Sequence, residues 1–316
     1  MRRAFPGADR LIPLAFLLGI SLVLSLTTAG FASGTNLRSI AQQQAVIIII
    51  VVGQALVMIA GGIDLSVGSV VALVTVVAAK LMRDAHFSPA MAVLCGLGVG
   101  AACGMINGIV TTRARVPAFI ATLGMMGMAK GVSLAVSGGV NISELPEGFK
   151  SLGYMGKQGM ITVLLFSVIT LVAIIVGHII LSRTSFGRAV YAIGGNAEAA
   201  RLSGINVNRR LVAAFTFCGL LTGLAGVVLL IRLGLGSPTN GEGYELLTIS
   251  AAVIGGTSLF GGQGTIPESI VGAMIIAVIG NGCILSGVSN DWQYFIIGAM
   301  TIVAVFVDRL RRGKTG

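Results

Sequence analysis

Long apolar stretches recur along the whole chain, and short polar segments separate them. A helix of about 20 residues crosses a bilayer core of roughly 30 Å. In lipid the backbone must hydrogen-bond to itself, so such stretches fold as helices. The pattern therefore predicts an all-α, polytopic membrane protein. The predicted helices cover residues 11–30, 40–60, 65–82, 89–111, 117–136, 160–181, 212–232, 246–260, 266–286 and 292–308.

Two features leave the number of membrane crossings open between ten and eight. Only Gly61-Gly62 separates the second predicted helix from the third, and the eighth is short enough to be a re-entrant segment. Ten crossings would become eight if two weak spans were re-entrant. In either arrangement we expect residues 1–316 to form a single transmembrane domain.

The charge distribution agrees with an even number of crossings. The formal net charge is +10, yet only 10% of residues are charged, against about 25% in soluble proteins. The basic residues lie mostly between apolar stretches, which favours a topology signal over nucleic-acid binding. The positive-inside rule then places both termini in the cytoplasm. On this topology the segment that holds Glu242 and Glu245 is an outer loop.

Glycine is unusually abundant, with 46 residues, and several glycines cluster in the fourth predicted helix. Small residues allow membrane helices to approach closely. We therefore expect Gly96, Gly98, Gly100 and Gly104 to serve helix packing.

The most polar stretch of the chain, 182–211, contains the capping residues of a short helix at about 196–203. Asn196 is a favourable N-cap, Glu198 suits the first turn, and Gly204 suits the C-terminal end. Such a helix is too short to be stable alone. It is either a docking element for a partner or an ordinary connecting turn.

Several motifs carry a resemblance to a known family. Glu198-Ala199-Ala200 followed by Gly204 matches the EAA-x-x-x-G pattern of permease subunits of ATP-binding-cassette (ABC) importers. The wider motifs resemble the ribose-type sugar permeases of that superfamily: GGIDLSVGSVVAL (61–73), VPAFIATLGM (116–125), GGNAEAARLSGINV (194–207) and GYELLTISAAVIGGTSLFGGQGT (243–265).

The resemblance implies a monosaccharide permease of the bacterial inner membrane that is not itself an enzyme. The segment 182–211 would be a cytoplasmic coupling loop that docks on a separate ATPase through Glu198, Ala199, Ala200, Arg201 and Gly204. The chain would carry no cofactor, since ATP and magnesium belong to that ATPase. A sugar-binding protein and a second permease chain, identical or different, would complete the transporter.

Two other functions remain open from the sequence. The same superfamily includes permeases for autoinducer-2 and for nucleosides. A stand-alone secondary transporter would need ionisable residues inside the membrane, and the predicted spans contain few.

Polar residues within or beside the predicted spans are candidates for the transport path. Asp64 either lines the path or, like Ser66, caps a helix that begins near the cytoplasmic face. The other candidates form hydrogen bonds either to sugar hydroxyls or to neighbouring helices. These candidates are Gln54, Asn107, Thr257 and Asn281.

Overall fold

The computed structural model describes residues 8–153 and 159–313. Within these ranges the chain is helical, without a β-strand, and a single isolated bridge joins Ile142 to Gly236. The helices are α1 (Ala8–Thr27), α2 (Gly34–Ile59), α3 (Val67–Arg83), α4 (Pro89–Arg113), α5 (Ala118–Ser137), α6 (Glu147–Lys150), α7 (Gly159–Arg183), α8 (Ser185–Gly195), α9 (Ala197–Leu202), α10 (Val207–Leu233), α11 (Tyr244–Ile254), α12 (Ile266–Leu285) and α13 (Asn290–Gly313).

A helix occupies each of the ten predicted positions, and most ends agree within three residues. Six of the described helices are long and apolar enough to cross a membrane, namely α2, α4, α5, α7, α10 and α12. The chain is therefore a multi-pass helical membrane protein. The sequence did not predict α8, whose residues were assigned to the polar loop.

The core forms around α2 and α10. Every residue of α2 from Ala45 to Ile59 is buried, because α10, α7, α12 and α11 surround it. In contrast, α7 exposes a row of large aliphatic side chains, including Leu164 and Leu171. This difference identifies α2 as a central helix and α7 as a helix that faces lipid.

Glycines bring α4 and α10 into backbone contact. A Cβ at Gly104 would overlap the carbonyl oxygen of Phe215, and one at Gly100 would overlap that of Gly219. The predicted packing role is therefore confirmed for these two glycines, whereas Gly98 faces open space.

We expect Gly104→Val to destabilise the bundle strongly. A larger side chain in a full contact costs about 1–3 kcal/mol or more. Thermal unfolding of the detergent-solubilised chain measures the effect. Gly98→Val is the matched control on the same helix and should leave the midpoint nearly unchanged. Equal losses from the two substitutions would contradict the proposed packing.

The connection between α10 and α11, which the sequence predicts to be an outer loop, packs against the bundle. It runs as irregular chain along α3, where Gly236 lies against Thr75 and Ala79, and Gly241 lies against Gly68. Glycines fit here because a Cβ at either position would meet the backbone or side chains of α3. With 11 residues, α11 is about 16 Å long and too short to cross a membrane alone.

Candidate coupling surface and transport path

The polar stretch predicted to hold one short helix contains two consecutive helices. Thr184 caps α8, since its hydroxyl accepts a hydrogen bond from Gly187 N at 3.1 Å. Asn196 then separates α8 from α9, and its side-chain oxygen accepts a bond from Ala199 N at 2.9 Å. The predicted N-cap and the predicted short helix are both confirmed.

Gly204 ends α9 in the way that its sequence position suggests. Its φ of +83° lies in the left-handed region, which favours glycine. Gly204 N donates to Arg201 O at 3.0 Å, and Ile205 N donates to Ala200 O at 3.1 Å. These two bonds form a Schellman motif, which satisfies carbonyl groups at the helix end.

One face of α9 is anchored and the other is free. Ala200 is buried in a small cluster with Ile193 and Val207. Opposite it, Glu198 and Arg201 form an exposed ion pair at 3.1 Å. Exposed pairs of this kind contribute little to stability, so these charges remain able to meet a partner.

Leu202 is the most exposed large apolar side chain of the described residues, at 82%. The sequence analysis did not select it, although an isolated leucine in the most polar segment was the available signal. Burial of this side chain against another protein would remove its apolar surface from water.

A basic groove of about 840 Å³ lies beside the end of α9. Its lining includes Arg188 of α8 together with Arg209 and Arg210 of α10. Arg210 also lies over the ring of Phe186, at 5.9 Å from its centroid. The exposed face of α9 and this groove together form a surface suited to a partner that carries acidic residues.

Four glycines, which we call the glycine junction, connect α8 to two chain breaks inside the bundle. The junction consists of Gly61, which follows α2, Gly194 of α8, and Gly261 and Gly262 between α11 and α12. A Cβ at Gly194 would overlap Ile59 O, and a Cβ at Gly261 would lie 3.0 Å from the Cα of Gly61. Three backbone segments therefore touch at one point.

Two hydrogen bonds hold the same segments together. Gly262 N donates to Ile59 O at 2.9 Å, which joins the α11–α12 connection to the end of α2. Tyr191 of α8 donates its hydroxyl proton to Gly264 O at 2.7 Å. Helix α8 is thus in direct contact with both breaks.

Three of the predicted path residues form one buried cluster at the break before α3. The Asp64 carboxylate accepts bonds from Ser66 N at 2.9 Å and from Ser66 Oγ at 2.6 Å. Asn107 Nδ2 of α4 donates to Ser66 Oγ at 3.0 Å and lies 3.5 Å from Asp64 Oδ2. All three side chains are at most 2% exposed.

Ser66 occupies the N-cap position of α3, but its side chain does not cap the helix. Its hydroxyl donates to Asp64 instead, so the two residues fix the turn between α2 and α3. The carbonyl of Ile63 accepts a further bond from Thr122 Oγ1 at 3.1 Å. The cluster therefore ties the break to both α4 and α5.

The other three predicted path residues lie apart from this cluster. Thr257 shares a hydroxyl bond of 2.8 Å with Ser269 of α12. Asn281 and Asn36 exchange two amide bonds of 2.8 Å each, which join α12 to α2. Both residues thus make contacts between segments of the chain. Gln54 is fully buried, and its amide atoms have no hydrogen-bond partner among the described residues.

We expect Gln54→Met to raise the unfolding temperature of the solubilised chain. An unpaired buried polar group costs about 1–3 kcal/mol, which a similarly sized apolar side chain avoids. Gln43→Met on the same helix is the control, because Gln43 donates to Ser39 at 2.9 Å and should lose stability instead. A drop in the unfolding temperature of Gln54→Met would contradict the prediction. It would show that the Gln54 amide forms hydrogen bonds in the membrane.

Comparison with known proteins decides the family. The profile of the family described as "Branched-chain amino acid transport system / permease component" matches residues 36–305, nearly the whole chain. The chain belongs to this permease family. The permease is also 38% identical to the fructose import permease protein FrcC of Rhizobium meliloti over 301 residues, 92% of this chain and 84% of the relative.

Two further relatives of the permease extend the comparison. The ribose import permease protein RbsC of Escherichia coli K12 is 38% identical over 94% of this chain and 92% of its own. The L-arabinose ABC transporter permease protein AraH of Azospirillum brasilense is 36% identical over 99% and 92%. The resemblance to sugar permeases is confirmed. No solved structure matches the permease significantly.

Proposed function

We propose that this permease is the membrane subunit of an ATP-driven importer that carries a monosaccharide across the bacterial inner membrane. The observation that carries the proposal is the similarity to permeases named for ribose, fructose and L-arabinose over almost the whole chain. Helix α9 supports the proposal, because it is exposed and capped at both ends. It therefore offers a binding surface to a separate subunit that supplies the energy for transport.

The proposed topology has ten crossings with both termini in the cytoplasm. In it, α11 and the irregular segment 234–243 together make the eighth crossing as a broken span, since α11 alone is too short. Broken helices near the middle of the membrane are a common feature of transport paths.

The proposed coupling surface is the exposed face of α9 within the loop 182–211. A separate ATPase, which carries ATP and magnesium, would dock on Glu198, Ala199, Arg201 and Leu202, while Ala200 and Gly204 keep the helix in shape. A sugar-binding protein would deliver the substrate, and a second permease chain would complete the path. No cofactor is assigned to this chain.

Docking of the ATPase tests the coupling surface. We expect Leu202→Asp to weaken co-purification of the permease with its cognate ATPase at least about 10-fold, because burying a leucine contributes about 1.5–3 kcal/mol. Leu202→Met is the control and should retain binding, since it keeps the apolar contact. Undiminished association of Leu202→Asp would refute the assignment of α9.

Gly204→Val tests the same surface through its backbone. A β-branched residue is strained at a positive φ, so α9 should lose its Schellman end and the ATPase should dissociate. The Glu198→Ala variant should weaken docking less, because its ion pair with Arg201 is exposed. Thermal unfolding of each variant confirms that the transmembrane bundle still folds.

A further inference from the structure

The irregular segment between α10 and α11 carries ionisable and hydroxyl side chains, and two of them are exposed. Thr239 and Glu242 are exposed, and Asn240 and Glu245 are half-buried. The sequence analysis placed this segment outside the membrane and selected none of these residues for the transport path.

Contacts along α3 establish how deep the segment lies. Gly226 of α10 and Gly96 of α4 both pack against Val74, and each is seven residues, or about 10 Å, from the near end of its helix. Gly241 lies against Gly68 and Val71, which are earlier in α3 and therefore deeper. Gly241 thus sits roughly 15 Å or more below the helix ends, near the middle of a 30 Å core.

Hydrogen bonds hold the segment in a fixed conformation at that depth. Thr75 Oγ1 of α3 accepts a bond from Asn240 Nδ2 at 3.2 Å. The Ser237 and Thr239 hydroxyls are 2.9 Å apart. Lys130 of α5 donates to Pro238 O at 3.0 Å, so a half-buried cation supports the segment from a second helix.

Exposed polar groups at this depth cannot face hydrocarbon at low cost. A charge at the bilayer centre costs about 3 kcal/mol or more, and irregular backbone is tolerated there only beside protein or water. The exposed side of Thr239 and Glu242 must therefore border another protein chain or an aqueous cavity, and the labelling experiment below distinguishes the two. A carboxylate accepts hydrogen bonds, and a threonine hydroxyl both donates and accepts them.

We propose that Thr239, Asn240 and Glu242 form the surface that contacts the sugar hydroxyls during transport. The segment presents these groups from a rigid backbone, as a site that must discriminate polyols requires. The buried Asp64 cluster then holds the neighbouring break in place without touching the substrate. The identity of the ligand as a sugar rests on the proposed function, whereas the aqueous exposure of the segment does not.

Cysteine labelling tests the exposure without any substrate. The full transporter is placed in lipid nanodiscs, in a background where the four native cysteines are alanine, and treated with the charged reagent sulfonatoethyl methanethiosulfonate. Thr239→Cys and Glu242→Cys should react at least about 10-fold faster than Leu171→Cys, which is 55% exposed on the apolar α7. Equal rates at the three positions would overturn the proposal.

Uptake measurements then test the contact with sugar. Radiolabelled ribose, fructose and L-arabinose are the probes, and the wild type shows which of them it carries. Thr239→Val and Glu242→Gln should change the ratio of uptake rates between sugars, with docking of the ATPase unchanged. A uniform loss for every sugar would refute the contact. Failure of the wild type to carry any sugar would refute the proposed function, and the labelling result would still decide the exposure.

Discussion

Replacing Gly194 by alanine should reduce transport by between about 10- and 100-fold, while the same change at Gly195 should leave transport intact. A Cβ at Gly194 would overlap Ile59 O and crowd Gly262 N, whereas a Cβ at Gly195 meets nothing within 4 Å. Overpacking costs about 1–3 kcal/mol, which corresponds to this range of rates. The substitution forces α8 away from both breaks and so separates the coupling surface from the transport path.

The two alanine variants form a matched pair, because the glycines are adjacent in α8. Uptake of labelled sugar by the assembled transporter is compared with co-purification of the ATPase. For Gly194→Ala we expect docking to persist while transport fails, since α9 itself is untouched. Equal transport by the two variants would show that the glycine junction does not carry the motion of α8.

Replacing Asp64 by alanine should destabilise the protein more than any conservative change at that position. The substitution leaves Ser66 N and Ser66 Oγ without their acceptor in a buried site, whereas Asn107 Nδ2 keeps its bond to Ser66 Oγ. Each unpaired buried donor costs about 1–3 kcal/mol, so the two together cost about 2–6 kcal/mol. Asp64→Asn keeps one acceptor oxygen and should lose much less.

Thermal unfolding of the purified chain measures this order of stabilities. Asp84→Asn is the control, since the Asp84 carboxylate is 43% exposed and, among the described residues, pairs with Arg83 and Lys80 nearby in sequence. We expect the loss to be largest for Asp64→Ala, smaller for Asp64→Asn and negligible for Asp84→Asn. Normal stability combined with lost transport in Asp64→Ala would assign Asp64 to the path instead of the framework.

The sequence predicted the elements that depend on local patterns. Apolar length located the long helices, and Asn196 and Gly204 located α9, because caps are short-range signals. Gly100 and Gly104 were expected to pack closely, but their partner helix α10 could not be named from local pattern. The choice of partner helix depends on tertiary contacts, which leave no periodic pattern in a single sequence.

Other features depend on tertiary packing, which the local pattern does not show. Residues 234–243 are polar and glycine-rich, as a surface loop would be, yet they fold back along α3. Leu202 was counted only as a helix former, because its exposure depends on which face of α9 packs against Ile193 and Val207. Asp64, Ser66 and Asn107 were selected singly for being polar within apolar surroundings, and only the structure brought them into one cluster.

The source of energy for transport is the most direct test of the whole account. The permease, its ATPase and its binding protein are reconstituted into proteoliposomes, and accumulation of radiolabelled ribose, fructose and L-arabinose is followed with and without ATP. We predict that at least one of these sugars accumulates only when ATP, the ATPase and the binding protein are all present. Accumulation driven by a proton or sodium gradient, with the permease alone in the membrane, would contradict the account.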